Sequence, residues 1–118
     1  MTTQEIANKL VQACREGKYD EAYKMYSPNC RSIEPEGSPW PEAVGMEAIA
    51  AKGKQWQESV EEVHSGYVSD PIVADGWFSV QMKSDVTFKE RGRSTIDEIC
   101  VYEVKDGQIV REQFFYND

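Results

Sequence analysis

The hydrophobic residues of the first half of the chain recur every three or four positions, which is the spacing of one face of an α-helix. A first helix is predicted between a capping box at Thr2 and Glu5 and a stop at Gly17. A second, short helix ends at Pro28-Asn29, and a third spans residues 46–57. The apolar positions that define the three helices are Ile6, Leu10, Ala13, Cys14, Tyr19, Ala22, Tyr23, Tyr26, Ile49, Gly53 and Trp56.

After the third helix the pattern changes to the two-residue alternation of half-buried strands. A short strand at residues 30–34 and a loop at residues 37–45 precede that helix. The later strands are predicted at residues 60–69, 78–88, 96–104 and 109–116. Helices followed by antiparallel strands predict an α+β fold, in which three N-terminal helices pack on the concave side of a cone-shaped, strongly curved antiparallel sheet.

The last hairpin allows two registers, and a slip of one residue exchanges the two faces of a strand. A two-residue loop at Asp106-Gly107 pairs Lys105 with Gln108, whereas a three-residue loop with Gly107 as a bulge pairs Val104 with Gln108. We favour the three-residue loop because it places most of the aromatic residues on one face. That face holds Ile96, Glu98, Cys100, Tyr102, Val110, Glu112, Phe114 and Tyr116.

Two carboxylates, Glu98 and Glu112, share this apolar face and are diagonal neighbours in the favoured register. A buried carboxylate is costly unless it is hydrogen-bonded or protonated, and two close together raise at least one pKa. Such groups can act as a general acid or base. The alternative is that they reach water near a strand end or bind tyrosine hydroxyls as structural anchors.

The opposite face of the hairpin carries Ile99, Val101, Ile109 and Phe115, which is too apolar for a sheet face left in water. Arg111 lies diagonally from Glu103, so a cross-strand ion pair is expected there. We therefore predict a two-fold homodimer through this outer sheet face.

Length, composition and net charge limit the kinds of function that this protein can have. The 118 residues suit one domain, 1–118, and the net charge of −8 without a Lys/Arg cluster disfavours nucleic acid and anionic membranes as partners. The chain has neither an apolar run of about 20 residues nor signal-peptide features at its start. Three scattered cysteines indicate reduced thiols in a cytoplasmic protein. No glycine-rich phosphate loop and no metal-ligand spacing are present, so no cofactor and no metal are expected.

Four segments, taken in order, carry a resemblance to a known family: Glu16 to Asn29, Ile33 to Gly37, Gly45 to Ile49 and Ile96 to Tyr116. They resemble the nuclear transport factor 2-like superfamily and, within it, the SnoaL-like group, named for a polyketide cyclase. The resemblance covers nearly the whole chain and implies a cystatin-like α+β roll with a half-apolar pocket. It is specific for the fold and not for function, because this fold hosts isomerases, cyclases, dehydratases, ring-hydroxylase subunits and binding modules.

Ketosteroid isomerase, an enzyme of this fold, keeps its base in an Asp-Pro-x-Gly segment after the first strand. The segment Glu34 to Gly37 occupies that place, so the resemblance implies that Glu34 is the base. The tyrosine and the protonated aspartate of that enzyme's oxyanion hole correspond to Leu10 and Cys100. Neither replaces those donors well, so steroid isomerase activity is not expected.

Further residues could contact a small apolar or carbonyl-containing ligand. His64 could serve as a second base, and Trp40 could cap the pocket mouth, although each is more often a surface or structural residue. The full set of proposed ligand contacts is Tyr23, Trp40, Trp56, His64, Cys100, Tyr102, Phe114 and Tyr116.

Two functions fit these observations. The first is a cofactor-independent isomerase, cyclase or dehydratase in which Glu34 takes a proton, and a protonated Glu98 or Glu112 donates to the developing oxyanion. The second is a non-catalytic ligand-binding or dimerisation module of the same fold.

Overall fold

The strands form one curved, open sheet of seven strands around the helices, in a computed structural model that describes residues 1–117. The elements are α1 Thr3–Arg15, α2 Tyr19–Tyr23, β1 Tyr26–Ile33, β2 Glu42–Val44, α3 Met46–Ser59, β3 Val60–Val68, β4 Ile72–Ala74, β5 Trp77–Phe88, β6 Gly92–Lys105 and β7 Gln108–Phe115. The order along the sheet is β2-β1-β7-β6-β5-β3, with β4 beside β5. Neighbouring strands are antiparallel except β1 and β7, which are parallel. The predicted α+β architecture is confirmed.

The capping box at the start of α1 is present as the sequence predicts. Thr2 Oγ1 accepts from the Glu5 N–H at 3.1 Å, and a Glu5 carboxylate oxygen accepts from the Thr2 N–H at 2.9 Å. The helix buries one apolar stripe in the core, against the concave face of the sheet. This stripe consists of Ile6, Ala7, Leu10, Val11 and Ala13. In residues 1–117 no helix is both long and apolar enough to cross a membrane.

The start of β1 corrects the predicted end of the second helix. That helix stops at Tyr23, and Tyr26 already belongs to β1, which also contains Pro28. The β1–β7 ladder is irregular between Tyr26 and Arg31. Proline has no N–H to donate, so an irregular stretch of a ladder is where a strand tolerates it.

Two three-residue strands were missed because three residues are too few to show a period. The predicted loop at residues 37–45 contains β2, whose Ala43 pairs with Ser32 of β1. The segment between the Asp70-Pro71 and Asp75-Gly76 breakers contains β4, which pairs with β5.

The turn of the last hairpin has two residues, so the favoured three-residue loop is wrong. Asp106 and Gly107 both have positive φ, 51° and 74°, as hairpin turns of this length require, and Lys105 pairs with Gln108. An irregularity between Glu103 and Val104 then shifts the ladder. The shorter turn and this irregularity each move the register by one residue. Together they move it by two, so most side chains of the hairpin lie on the faces that the sequence predicted.

The shifted ladder separates the two carboxylates of the hairpin. Glu112 lies opposite Tyr102 and Phe114 lies opposite Cys100, so Glu98 and Glu112 share a face without being diagonal neighbours. Ile109 pairs with Val104 and is fully buried, so it belongs to the core and not to the outer face.

The predicted ion pair on the outer face is also wrong. Arg111 is the direct register partner of Glu103, not its diagonal neighbour. Glu103 instead lies 3.5 Å from Lys105, and Arg111 Nη2 donates to Gln113 Oε1 at 2.8 Å.

Candidate functional site

A cleft of about 750 Å³ opens where β1 and β7 end, beside the middle of β6. Four of the residues proposed from the sequence line it together, namely Glu34, Glu98, Phe114 and Tyr116. The remaining lining residues are Ile33, Pro35, Glu36, Asp97, Ile99, Gln113, Phe115 and Asn117. The cleft therefore combines carboxylates with aromatic and aliphatic side chains.

Glu34 follows the last residue of β1 and is held from several sides. Its backbone N–H donates to the Pro41 carbonyl at 2.8 Å. Tyr116 Oη donates to Glu34 Oε1 at 2.9 Å, and Lys52 Nζ donates to Glu34 Oε2 at 3.3 Å. With one donor on each oxygen, the carboxylate has a fixed orientation at the cleft.

Lys52 was missed by the sequence reasoning. Its Nζ donates to the fully buried Ser32 hydroxyl at 2.5 Å as well as to Glu34, and it lies 5.1 Å from the centre of the Phe114 ring. The helical spacing of the sequence could have identified Lys52, because it follows the buried Ile49 by three residues and so lies on the same side of α3. A lysine on such a stripe must find acceptors.

Glu112 lies deeper than the cleft and does not line it. The residue is 5 % exposed, and Tyr26 Oη donates to its Oε2 at 2.6 Å. Burial raises the pKa of Glu112, while the Tyr26 hydrogen bond and the charge of Lys52 oppose that rise. This geometry favours the alternative reading of Glu112 as an anchor to a tyrosine hydroxyl.

Glu98 lines the cleft in a different environment from Glu34. Burial, followed by the negative charge of Glu34, raises the pKa of the Glu98 carboxyl group to about 7. Glu98 is therefore protonated in a large share of molecules at neutral pH. The cleft places one carboxylate held by two donors beside one carboxyl group that retains its proton, an arrangement suited to acid–base chemistry.

The raised pKa values predict that the protein loses stability as the pH rises. Glu98, with an ordinary pKa of 4.5, and Glu112 hold their protons more tightly when folded than when unfolded. Between about pH 5 and about pH 8 the free energy of unfolding is expected to fall by about 2 kcal/mol, because one pKa unit is about 1.4 kcal/mol and partial exposure reduces the effect. Urea unfolding at several pH values across this range measures the change in the free energy of unfolding.

The matched variants for this experiment are Glu98→Gln and the exposed Glu61→Gln. Since glutamine does not titrate, Glu98→Gln should show a smaller fall in stability than the wild type, and Glu61→Gln should show the full fall. A stability that rises with pH, or an unchanged fall in Glu98→Gln, would contradict the assignment.

Several proposed ligand contacts lie in the protein interior. Cys100 and Tyr102 are 0 % and 2 % exposed, and the Tyr102 ring stacks on Phe78 with centres 4.8 Å apart. Leu10 is also fully buried. These side chains fill the space between α1 and the sheet, so the positions that correspond to a steroid isomerase's oxyanion hole do not reach the cleft.

The remaining aromatic candidates pack away from the cleft. Tyr23 packs edge-on against Tyr26 at 5.4 Å, and Trp56 packs edge-on against Phe88 at 6.3 Å. Trp40 is half-buried against the core. None of Tyr23, Trp40 and Trp56 lines the cleft.

His64 lies on the outer side of the sheet and does not face the cleft. The β3–β5 ladder is irregular between Val63 and Ser65, which turns His64 toward Thr87. His64 Nε2 is 2.7 Å from Thr87 Oγ1, and Nδ1 is 3.0 Å from a Glu62 carboxylate oxygen. Among residues 1–117, no three His, Cys, Asp or Glu side chains are placed to hold a metal ion.

Comparisons with known proteins agree with this architecture. A family model described as a SnoaL-like domain matches residues 1–116. The crystal structure of a candidate SnoaL-like polyketide cyclase from Mesorhizobium loti is 37% identical, with 98% of this chain and 100% of that chain covered and a TM-score of 0.92.

More distant structures share the fold alone. An NTF2-like protein from Burkholderia thailandensis is 15% identical, with 99% of this chain and 92% of that chain covered and a TM-score of 0.87. A protein with a cystatin-like fold from Xanthomonas campestris is 18% identical, with 100% and 92% covered and a TM-score of 0.82. Among proteins with curated functions, none matches this chain.

Proposed function

Because this chain belongs to the SnoaL-like domain family, we propose that its cleft binds a small, mostly apolar molecule with a carbonyl group and moves a proton on it without a cofactor. The observation that carries the proposal is the pairing of Glu34 and Glu98 in one cleft, in two different environments. The reaction class is that of an isomerase, cyclase or dehydratase.

In the proposed reaction Glu34 is the general base. It takes a proton from the carbon next to the carbonyl group, and the electron pair moves to the carbonyl oxygen. Glu98 in its protonated form donates a hydrogen bond to that oxygen, which stabilises the developing negative charge. Returning the proton to carbon completes the cycle and restores both carboxyl groups.

The apolar side chains of the cleft would hold the body of the substrate. Ile33 and Phe114 line it beside the carboxyl groups. Binding sites of this kind combine a mostly apolar lining with a few polar groups that fix orientation.

The test is deuterium exchange into 1-tetralone, a mostly apolar ketone with acidic protons beside its carbonyl group. In heavy water, NMR should show exchange faster than in buffer alone, and the protein-dependent rate should fall as the pH rises through about 7, because Glu98 then loses its proton. In Glu98→Gln this fall should be absent. An exchange rate with the protein that is no higher than the rate in buffer alone would contradict the proposal.

The second candidate is a non-catalytic binding module, and the filled interior favours it. Phe78 and Tyr102 occupy the centre of the cone, so the interior offers a ligand no space and the cleft at the open end lies outside this packed centre. In that case 1-tetralone would shift the NMR signals of Phe114 and Tyr116 without any gain in exchange.

The outer sheet face is proposed as the interface of a two-fold homodimer. Ile99 and Phe115 pair across β6 and β7 and are 47 % and 49 % exposed. Trp77 and Ile72, 42 % and 78 % exposed, extend the same face over β5 and β4. Exposed apolar side chains gathered on one face of a sheet are typical of an association surface.

Val101→Lys is expected to convert this dimer to monomer. Val101 lies on the outer face between Ser79 and Gln113, so a charge there would lie inside the interface. Light scattering should give twice the chain mass of 13.5 kDa for the wild type and the single mass for the variant. Val63→Lys, at an exposed valine of β3, is the control and should remain dimeric. A wild-type monomer at micromolar concentration would exclude the interface.

The proposed setting is the cytoplasm. Cys14, Cys30 and Cys100 are all free thiols, which suits a reducing compartment. The net charge of −8 disfavours nucleic acid and anionic membranes as partners.

A further inference from the structure

Lys52 brings a positive charge to the carboxyl groups of the site from behind the lining of the cleft. The residue lies on α3, its side chain is 18 % exposed, and it does not line the cleft itself. Its Nζ donates to Glu34 Oε2 at 3.3 Å. Its charge also opposes the rise that burial causes in the pKa values of Glu98 and Glu112. One ammonium group therefore interacts with three carboxyl groups.

One positive charge does not balance three carboxylates. If Glu34, Glu98 and Glu112 were all ionised, the excess negative charge would lie in a site that is largely shielded from water, which is costly. At least one of these carboxyl groups is therefore expected to retain a proton. The position of the ammonium group influences which of them does so.

The contacts of Lys52 direct its charge to Glu34. Ser32 on β1 and the Phe114 ring on β7 also hold the ammonium group, with Nζ 2.5 Å from the Ser32 hydroxyl oxygen and 5.1 Å from the ring centre. Tyr116 Oη donates to the other carboxylate oxygen of Glu34 at 2.9 Å. Glu34 is thus the carboxyl group of the cleft that both donors orient.

The other titratable groups that face Lys52 or the three carboxyl groups are thiols and phenols. Burial raises their pKa values above the ordinary range, so they are uncharged at neutral pH. These groups are Cys14, Tyr23, Tyr26, Cys30, Cys100, Tyr102 and Tyr116. The protonation of the carboxyl groups therefore depends mainly on their burial, on one another and on Lys52.

We propose that Lys52 is a positioning residue of the proposed reaction, whose ammonium group orients the Glu34 carboxylate as the base and leaves the proton of the cleft on Glu98. Lys52 does not line the cleft, so it acts through Glu34 and not on the substrate. The effect on rate rests on the proposed function. The effect on the carboxyl groups is measured without any substrate.

The first experiment is a pH titration of the glutamate carboxyl carbons by NMR in wild type, Lys52→Met and the control Lys54→Met. Methionine keeps the length of the side chain and removes its charge. Lys54 is exposed on the same helix and lies 3.9 Å from Glu58. In Lys52→Met the Glu98 and Glu112 signals should titrate at a higher pH than in wild type, because a positive charge that opposes protonation is lost. In Lys54→Met they should not move.

The second experiment is deuterium exchange into 1-tetralone at several ketone concentrations. Lys52→Met should lower kcat by about 10-fold or more, because a misplaced catalytic group has effects of this size, and should change KM by less than about 2-fold. Lys52→Arg keeps the charge and can donate to both Ser32 and Glu34, so it should retain most of the rate. If circular dichroism shows that Lys52→Met is unfolded, Lys52→Gln, an uncharged donor, replaces it in both experiments.

Three results would overturn the inference. They are Glu98 and Glu112 signals that stay in place in Lys52→Met, a folded Lys52→Met protein with the wild-type kcat, and a Lys52→Arg protein as slow as Lys52→Met. A wild-type protein that does not accelerate exchange would instead overturn the proposed function, and with it the effect of Lys52 on rate. The titration decides separately whether Lys52 sets the protonation of the carboxyl groups.

Discussion

Glu34→Gln is expected to slow deuterium exchange into 1-tetralone by about 100-fold or more, the contribution typical of a general base. Glutamine keeps the shape of the side chain and can still accept from Tyr116, which donates to Glu34 at 2.9 Å. It cannot accept a proton from carbon. Since Lys52 also retains Ser32 as a partner, the loss of one contact should leave the fold intact.

The measurement is the initial rate of exchange by NMR for wild type, Glu34→Gln and the control Glu61→Gln. Glu61 is an exposed carboxylate of β3 outside the cleft, so its replacement should leave the rate unchanged. Circular dichroism and thermal unfolding show whether each variant is folded. A folded Glu34→Gln protein with the wild-type rate would refute the role of Glu34 as base.

Phe78→Ala is expected to lower the free energy of unfolding by about 3–5 kcal/mol, the usual cost of deleting a buried aromatic ring. Phe78 is 2 % exposed and stacks on Tyr102 at 4.8 Å, in the space between α1 and the sheet. Removing the ring loses burial energy and leaves a cavity that the surrounding helix and strands close only in part. For a domain with about 5–15 kcal/mol of stability, this is a large fraction of the total.

Urea unfolding of wild type, Phe78→Ala and Tyr67→Ala measures this effect. Tyr67 is 55 % exposed on β3, so its replacement should cost less than about 1 kcal/mol. If Phe78→Ala costs no more than Tyr67→Ala, the centre of the cone is not tightly packed. The interior would then be a second possible binding space.

Elements with a strong local signal were predicted correctly. The Thr2–Glu5 capping box fixes the start of α1, and the alternation along β5 identifies the buried positions Phe78, Val80, Val86 and Phe88. Both signals arise from neighbouring residues, so they can be read without knowing the fold. The prediction that Tyr26 belongs to the second helix was wrong, because its spacing fits a helix as well. Its place in β1 depends on pairing with the distant β7.

In the last hairpin the prediction of which side chains share a face was mostly correct, although the predicted turn was wrong. The sequence favoured a three-residue loop because it gathers the aromatic residues, while the chain uses a two-residue turn and an irregularity near Val104. Burial of one face restricts which side chains can point inward, and the backbone meets that demand in more than one way.

The candidate site could be predicted only in part. Glu34 follows from the resemblance and Glu98 from the alternation of β6, and both line the cleft. The position of Glu112 depends on a ladder shift, which moved it away from Glu98 and under Tyr26. The bond between Lys52 and Glu34 joins residues of α3 and the loop after β1, and no local pattern reports it.

The sequence by itself determined the fold class, the faces of the long strands and the acidic charge. Periodicity depends only on residues close together in the chain, and net charge depends only on the total composition. Only the tertiary structure decided which carboxyl group is held by donors and which keeps its proton. Those properties depend on burial and on charges brought together from β1, α3, β6 and β7. It also decided that Tyr102 and Cys100 fill the interior, since the depth of a side chain depends on what packs against it.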